Sequence, residues 1–322
     1  GGMYGRRNEV VLSEHPHTGD LLPIMAQMGP SASSGILMPR SHVSGLKGDL
    51  LCADFNLRRI SWHQLNNSGS SYGLKTDTLL ESDQSDFHPT DVIEDPDGSI
   101  LVADTGSWYM ICCPTSKVAK PHVLGAIYRI RKAGAKPPDD PHGLQLDWDT
   151  PSVRYLSDER PAVVKRSLDA LAHEDYIEEL GQTTARVPAI WVLNRIDTTK
   201  ARKTIRKFIS DDHQDVRMAA IHSAALWRDK GAVSPLIDTL AGKDVLLRRL
   251  AAMALGRIGD HAAVKSLLKV GANAQDPFLK HAITYALFEI GHLENIPRDH
   301  PLAATLRIME ETAQRDPTPN AR

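Results

Sequence analysis

The chain has 322 residues, of which 41% are hydrophobic and 24% charged, as in an ordinary globular protein. The formal net charge is -2, so the composition gives no electrostatic reason to expect a nucleic acid partner. No apolar run reaches the ~20 residues that a membrane-spanning helix needs, so no span is predicted. There are three cysteines, Cys52, Cys112 and Cys113, which form neither a disulfide framework nor a zinc-binding pattern.

The start of the chain carries no basic stretch followed by an apolar one, so no signal peptide is predicted within it. The sequence opens with Gly1, without an initiator methionine, which indicates a piece of a longer protein. The motif Cys-x-x-Cys-His is absent, which excludes attachment of a c-type haem to this chain.

Residues 1–132 have the punctuation of strands and turns, with short apolar runs between Gly, Asp, Asn, Ser and Pro. The segment GDLLCAD at 48–54 recurs fifty positions later as GSILVAD at 98–104, and a second apolar strand follows each copy. A four-strand unit that repeats every 40 to 50 residues or so is typical of propeller blades. The sequence predicts the last two or three blades of a β-propeller, too few to close a ring.

Residues 133–156 are predicted to be a proline-rich linker, and residues 157–310 an α-solenoid of HEAT-type helical repeats. The fold class is therefore mixed, a partial β-propeller followed by a helical solenoid. Residues 311–322 are predicted to be a disordered tail.

The helical repeat has a spacing of 31 to 32 residues, because an apolar position recurs as Val216, Leu247 and Leu279. Residues of the same type stand before and after each of these apolar positions. After each helix, a turn leads to a shorter second helix. An aspartate precedes each apolar position (Asp212, Asp244, Asp276), and a basic residue follows it (Arg217, Arg248, Lys280). Arg217 and Arg248 are expected to pair with neighbouring acids. Equivalent valines, Val233 and Val264, open the second helices, and Trp191 and Trp227 are expected in the core.

The sequences FHPTDV at 87–92 and DPDGSILVADTG at 95–106 resemble the closing blade of soluble quinoprotein sugar dehydrogenases. The order of blade, linker and HEAT stack resembles the planctomycete-type membrane-bound dehydrogenases, in which a sorbosone- or glucose-dehydrogenase-like propeller precedes HEAT repeats and a cytochrome c domain. The resemblance implies a periplasmic or secreted protein that oxidises a sugar or alcohol with pyrroloquinoline quinone and calcium. The chain departs from this family because the early blades with the catalytic histidine, and the haem domain, are absent. His88 also replaces an arginine often found there.

Three residues are predicted to contact the cofactor, namely His88, Cys112 and Cys113. The adjacent cysteines resemble a vicinal disulfide found against the cofactor in some quinoprotein alcohol dehydrogenases; the alternative is two reduced, partly buried thiols. If they are oxidised, we expect them to pair with each other and leave Cys52 free. His88 is either a ligand in the propeller channel or a hydrogen-bonded loop histidine.

The remaining polar motifs favour structural roles, and no metal site or catalytic residue is predicted. Asp54 and Asp104 occupy the same position in the two copies and are expected to stabilise turns. A tight turn accounts for Asp95 and Asp97, and the histidines of the HPH motif at 15–17 lack a third ligand nearby.

Two functions remain open from the sequence. The first is a quinoprotein sugar or alcohol dehydrogenase-like protein with a HEAT-repeat scaffold that binds a partner protein. The alternative is a non-catalytic protein-binding module made of propeller and HEAT surfaces. In either case we expect this chain alone to be inactive as an enzyme, because an incomplete ring cannot enclose a cofactor.

Overall fold

A computed structural model describes residues 22–106, 122–291 and 293–315. The chain divides into two compact units. The sheet unit comprises residues 24–68 and 72–196, and the repeat unit comprises the residues from 197 onward together with residues 22–23 and 69–71. The proline-rich segment 133–156 lies inside the sheet unit, because the division falls between Ile196 and Asp197.

The sheet unit contains two antiparallel sheets, one of four strands in the order β1-β2-β3-β4 and one of three in the order β5-β6-β7. Alternate residues of the strands point to a common apolar core between the sheets, which Leu51 and Ile60 share with Val92 and Ile100. The described strands are β1 (Ser33–Leu37), β2 (Leu50–Asp54), β3 (Arg59–Ser68), β4 (Ser71–Glu81), β5 (Pro89–Glu94), β6 (Ile100–Asp104) and β7 (Ala126–Ile130).

The two predicted sequence copies form equivalent strands. In each sheet the copy provides a strand with a neighbour on both sides, β2 in the first and β6 in the second. Each strand ends at its aspartate, where Asp54 faces Arg59 and Asp104 faces Ala126 across the next ladder. The described strands do not close into a ring, so the propeller remains a hypothesis.

The segment predicted to be a linker is held by side-chain contacts within the sheet unit. Trp148 Nε1 donates a hydrogen bond to the carbonyl oxygen of Gly143 at 2.7 Å. The guanidinium of Arg166 lies 4.1 Å from the centre of the Trp148 ring. Arg160 forms ion pairs with Asp158 and Asp140. These contacts order part of a segment that has no regular secondary structure before Val153.

The α-helices begin at Pro161, as the change of periodicity predicts. The helical turns described before Pro161 are short 3₁₀ turns. The last helix spans Ala303–Arg315, so residues 311–315 of the predicted tail are helical. None of the described helices is long and apolar enough to cross a membrane. The helices are α1 (Pro161–Ala170), α2 (Ile177–Leu180), α3 (Arg186–Leu193), α4 (Thr199–Lys207), α5 (Gln214–Leu226), α6 (Val233–Ala241), α7 (Val245–Ile258), α8 (Val264–Gly271), α9 (Pro277–Ile290) and α10 (Ala303–Arg315).

Aspartates begin the repeated helices of the repeat unit. Asp244 accepts hydrogen bonds from the N–H groups of Leu246 and Leu247, and Asp276 accepts one from Leu279. These bonds satisfy donors that the first turn of a helix otherwise leaves without partners. α5 departs from the pattern, because His213 precedes it and provides no side-chain cap. Asp212 therefore occupies the position equivalent to Asp244 and Asp276 in the sequence but does not cap its helix as they do.

The predicted apolar stripe is buried, whereas the predicted roles of two tryptophans and two arginines are wrong. Trp191 and Trp227 are only partly buried, and the guanidinium of Arg202 lies 5.2 Å from the Trp227 ring. Among the described residues, neither Arg217 nor Arg248 pairs with an acid. The Nε of Arg248 instead donates to the carbonyl oxygen of Leu240 at 3.1 Å. This carbonyl is near the end of α6, so Arg248 joins the second helix of one repeat to the first helix of the next.

Candidate partner-binding groove

The first helices of three successive repeats, α5, α7 and α9, present a second stripe of side chains on the side away from the core. In α7, Leu247 and Ala251 are buried in the core, and the residue two positions after each lies about 200° around the helix. These residues are Met253, which is 52% exposed, and Arg249, which is partly buried. The offsets of 31 and 32 residues place equivalent side chains side by side on neighbouring helices.

Large apolar side chains in this second stripe are exposed. Leu226 is 49% exposed, Met253 52% and Tyr285 47%, although all three belong to well-packed helices. They line a groove of about 390 Å³ within the repeat unit. The residues that line it are Leu22, Ile221, His222, Ala225, Leu226, Arg249, Leu250, Met253, Ala254, Arg257, Phe278, His281, Ala282, Tyr285 and Glu289.

Small residues bring two of the groove helices close together. A Cβ atom added to Gly256 of α7 would lie 2.6 Å from Ala286 Cα and 2.8 Å from Ala286 Cβ of α9. Non-bonded carbon atoms normally approach to about 3.5–4.0 Å, so only glycine fits at this position. The close approach of α7 and α9 fixes the spacing of Met253 and Tyr285 above it.

The groove has charged and aromatic edges. The Tyr285 ring is stacked with the ring of His281, with 6.5 Å between centroids. Burial raises the pKa of the Glu289 carboxyl, and the positive charges of Arg257 and Arg228 oppose that shift. The groove therefore combines an apolar floor with guanidinium groups at its edge.

A leucine of the chain itself lies in this groove. Leu22 lines it together with residues of α5, α7 and α9, and the Leu22 side chain is partly buried. The groove residues lie outside the core stripe that the apolar spacing predicts. The signal was present in the sequence, since His222, Met253 and Tyr285 recur at the same 31- and 32-residue offsets as the core positions.

Of the predicted cofactor contacts, His88 is not among the residues that line this groove. His88 Nδ1 is 2.6 Å from the carbonyl oxygen of Gly106, so this nitrogen carries the proton, because a carbonyl only accepts. The His88 ring is stacked on Phe55, with 4.4 Å between centroids. Cys112, Cys113 and the HPH motif at 15–17 lie outside the described residues. Whether these residues contact a cofactor remains a prediction.

The other polar residues singled out in the sequence have structural partners. Asp104 accepts hydrogen bonds from the N–H groups of His88 at 2.9 Å and Gly106 at 2.8 Å. Asp54 is fully buried and accepts hydrogen bonds from the hydroxyls of Ser33 and Ser61. Asp104 thus stabilises the turn after β6, as predicted, whereas Asp54 stabilises the end of β2 through side chains of the neighbouring strands.

The turn carboxylates are held by arginines. Asp95 and Asp97 both pair with Arg129, and Asp97 also pairs with Arg131. Although burial opposes it, hydrogen bonds from Ser99 and the two guanidinium groups keep the pKa of Asp97 below its usual value. Among the described residues, no three His, Cys, Asp or Glu side chains lie close enough together to hold a metal ion.

Cys52 is a free, half-buried thiol on β2. Burial raises the pKa of this thiol, and the nearby carboxylate of Asp54 acts in the same direction. A raised pKa keeps the sulfur protonated near neutral pH and makes it a poor nucleophile. Cys52 is therefore a packing residue of the sheet.

Comparison with known proteins identifies the helical part of the chain. The sequence profile of HEAT repeats matches residues 177–244 and 219–287. These residues span α2 to α9, including all three helices of the groove. No curated protein sequence matches the chain significantly. The chain therefore contains HEAT repeats, in the register that its apolar spacing predicts.

Proposed function

We propose that this protein is a binding scaffold whose groove on α5, α7 and α9 holds an apolar side chain of a partner protein. Arrays of HEAT repeats present extended surfaces that suit protein partners. The observation that carries the proposal is Leu22, which already lies in the groove. Leu22 shows that an aliphatic side chain packs against the apolar residues of the groove, which leaves a volume of about 390 Å³ beside it. This scaffold role is common to both functions that the sequence left open.

The chemistry of the groove favours a particular kind of partner segment. Burying a leucine-sized side chain against Met253 and Tyr285 contributes about 1.5–3 kcal/mol. That amount gives only weak binding by itself, so further contacts along the array are needed. Arg249 and Arg257 line the same groove and attract carboxylates. We therefore infer a partner segment with an aliphatic anchor beside acidic residues. The chain itself has this combination, because the acidic residue Asp20 lies two positions before Leu22 in the sequence.

The groove can be tested with a peptide from the chain itself. We expect a fluorescent peptide of residues 19–25, GDLLPIM, to bind a Leu22→Ser variant of the protein, since serine removes the internal leucine from the groove. Adding Met253→Asp is expected to weaken this binding about tenfold or more, because a carboxylate replaces an apolar contact. Fluorescence polarisation measures both affinities.

The matched control for this experiment is Leu144→Asp, which places the same charge at an exposed leucine of the sheet unit. We expect this control to leave the peptide affinity unchanged. The proposal fails if Met253→Asp binds the peptide as tightly as its parent does, or if a peptide with Asp in place of Leu22 binds equally well.

A sugar-dehydrogenase-like propeller is a second proposal for the sheet unit. The observation that favours it is the repeated arrangement of β2-β3 and β6-β7, in which equivalent strands end at Asp54 and Asp104. The resemblance of residues 87–92 and 95–106 to quinoprotein sugar dehydrogenases supports a proposed periplasmic or secreted location and a sugar or alcohol substrate. The described residues do not fit a calcium-bound quinone, because they provide no cluster of three metal-ligating side chains. We derive no chemical step through the quinone.

Enzyme assays test whether this chain has activity by itself. We expect no dye-linked oxidation of glucose or sorbosone by this chain, even with pyrroloquinoline quinone and calcium added, because four- and three-stranded sheets do not surround a cofactor. A quinoprotein glucose dehydrogenase reconstituted from its cofactor-free form serves as the positive control. Turnover that rises with added quinone would overturn this expectation and place catalytic residues in this chain.

A further inference from the structure

The sheet unit contains a second cavity, of about 790 Å³, with basic side chains on more than one wall. Arg40 comes from the loop after β1, and Lys165 and Arg166 come from α1. Arg195 follows α3 and completes a group of four cations. The cavity also has two carboxylates, Glu94 and Asp169, so the formal charge of its lining is positive.

Both carboxylates of the cavity are engaged by the protein. Glu94 Oε1 accepts hydrogen bonds from the backbone N–H groups of Arg40 at 2.9 Å and Ser41 at 2.7 Å. Asp169 Oδ1 accepts one from Arg195 Nε at 3.1 Å. The acids therefore hold the walls of the cavity in place, and only one of them neutralises a cation of the group directly.

Two of the four cations are oriented by the fold. Arg166 is stacked over the ring of Trp148, at 4.1 Å from its centre. Arg195 donates to the carbonyl oxygen of Trp191 at 2.6 Å in addition to its bond with Asp169. A guanidinium group that is already held in place loses less rotational freedom when it binds a ligand.

The other two cations are available to a ligand. Arg40 and Lys165 are exposed, and within the described part of the chain neither side chain forms an ion pair or a hydrogen bond. The cations of the cavity outnumber its two carboxylates, so the excess positive charges repel each other. A bound anion would remove this repulsion and supply acceptors for both side chains.

The geometry points to a binding site for a small soluble molecule that carries a phosphate group. A phosphate monoester has a charge of about −1.5 to −2 near neutral pH and three acceptor oxygens, which suits several cations better than a single carboxylate does. Pro96, Pro161 and Leu168 form apolar parts of the lining and suit the organic part of such an ester. The volume falls in the range of ~300–1,000 Å³ found for small-molecule sites.

Isothermal titration with phenyl phosphate tests this site, because phenyl phosphate combines the anion with a small apolar group. We expect saturable binding at constant ionic strength, and weaker binding of inorganic phosphate. The double variant Arg40→Gln/Lys165→Gln is expected to lose about tenfold or more in affinity, since each change removes a charge-assisted hydrogen bond. Both residues are exposed, so we expect the thermal unfolding midpoint of the double variant to match that of the parent.

The matched control is Lys136→Gln/Lys243→Gln, which removes two exposed positive charges that lie outside the cavity. An equal loss of affinity in this control would overturn the site, since net charge alone would then explain the binding. Failure of all soluble phosphates to bind would also overturn it. So would binding only to vesicles that contain phosphatidic acid, because the ligand would then be a lipid headgroup at a membrane surface.

Discussion

Replacing Ala251 or Leu255 with aspartate is expected to unfold the repeat unit. Both side chains are fully buried in α7, which packs against α5, α6 and α9. A carboxylate at either position would be buried without a partner, at a cost of at least ~3 kcal/mol. Because small domains are stable by only about 5–15 kcal/mol, a large fall in the unfolding midpoint is expected. Circular dichroism at 222 nm during thermal or urea unfolding measures it.

Met253→Asp is the control for these substitutions. Met253 lies on the same helix but is 52% exposed, so the new charge remains in water. We expect a change of no more than ~0.5 kcal/mol in the free energy of unfolding. If Ala251→Asp or Leu255→Asp unfolds at the same urea concentration as this control, the predicted core stripe is wrong.

Gly256→Val is expected to destabilise the repeat unit and to weaken binding in the groove. The added Cβ would meet Ala286 Cα at 2.6 Å, which is backbone and cannot turn aside. Removing a glycine from a helix gains up to ~1 kcal/mol, but a β-branched residue recovers only part of this. Overpacking costs about 1–3 kcal/mol, so the net effect is a loss of stability. Urea unfolding and peptide titration measure the two effects.

The preceding repeat offers the matched control. Ala225 of α5 is equivalent to Gly256 of α7, is partly exposed and already carries a Cβ atom. We therefore expect Ala225→Val to cost less stability than Gly256→Val does. Equal stability of Gly256→Val and the parent protein would mean that α7 and α9 separate freely, and that their close approach does not fix the groove.

The two propeller-like sequence copies show where a sequence match stops determining structure. Asp54 and Asp104 both end strands, as their shared position predicts. Their partners differ, because Asp104 binds the backbone N–H groups of Gly106 and of His88, which precedes β5, whereas Asp54 binds the hydroxyls of Ser33 and Ser61 on neighbouring strands. The strand end is a local property, but the partners depend on which strands lie alongside.

The sequence by itself determined the helical repeat, because the forces that define it act over short distances along the chain. The spacing of apolar residues requires one buried face per helix, and Asp244 and Asp276 begin their helices through bonds to the next few residues. These relations hold wherever the helices pack. The repeat register and the start of the helices at Pro161 therefore followed from the sequence.

Only the tertiary structure decided the sites. Leu22 lines the groove of α5, α7 and α9, although it is far from these helices in the sequence, and no periodicity connects them. Arg40 and Lys165 meet at one cavity because the loop after β1 and helix α1 fold against it. Trp227 is partly exposed under Arg202 because stacking of the repeats leaves that face open. Contacts of this kind depend on the path of the chain in space, and a linear pattern of residue types does not contain that path.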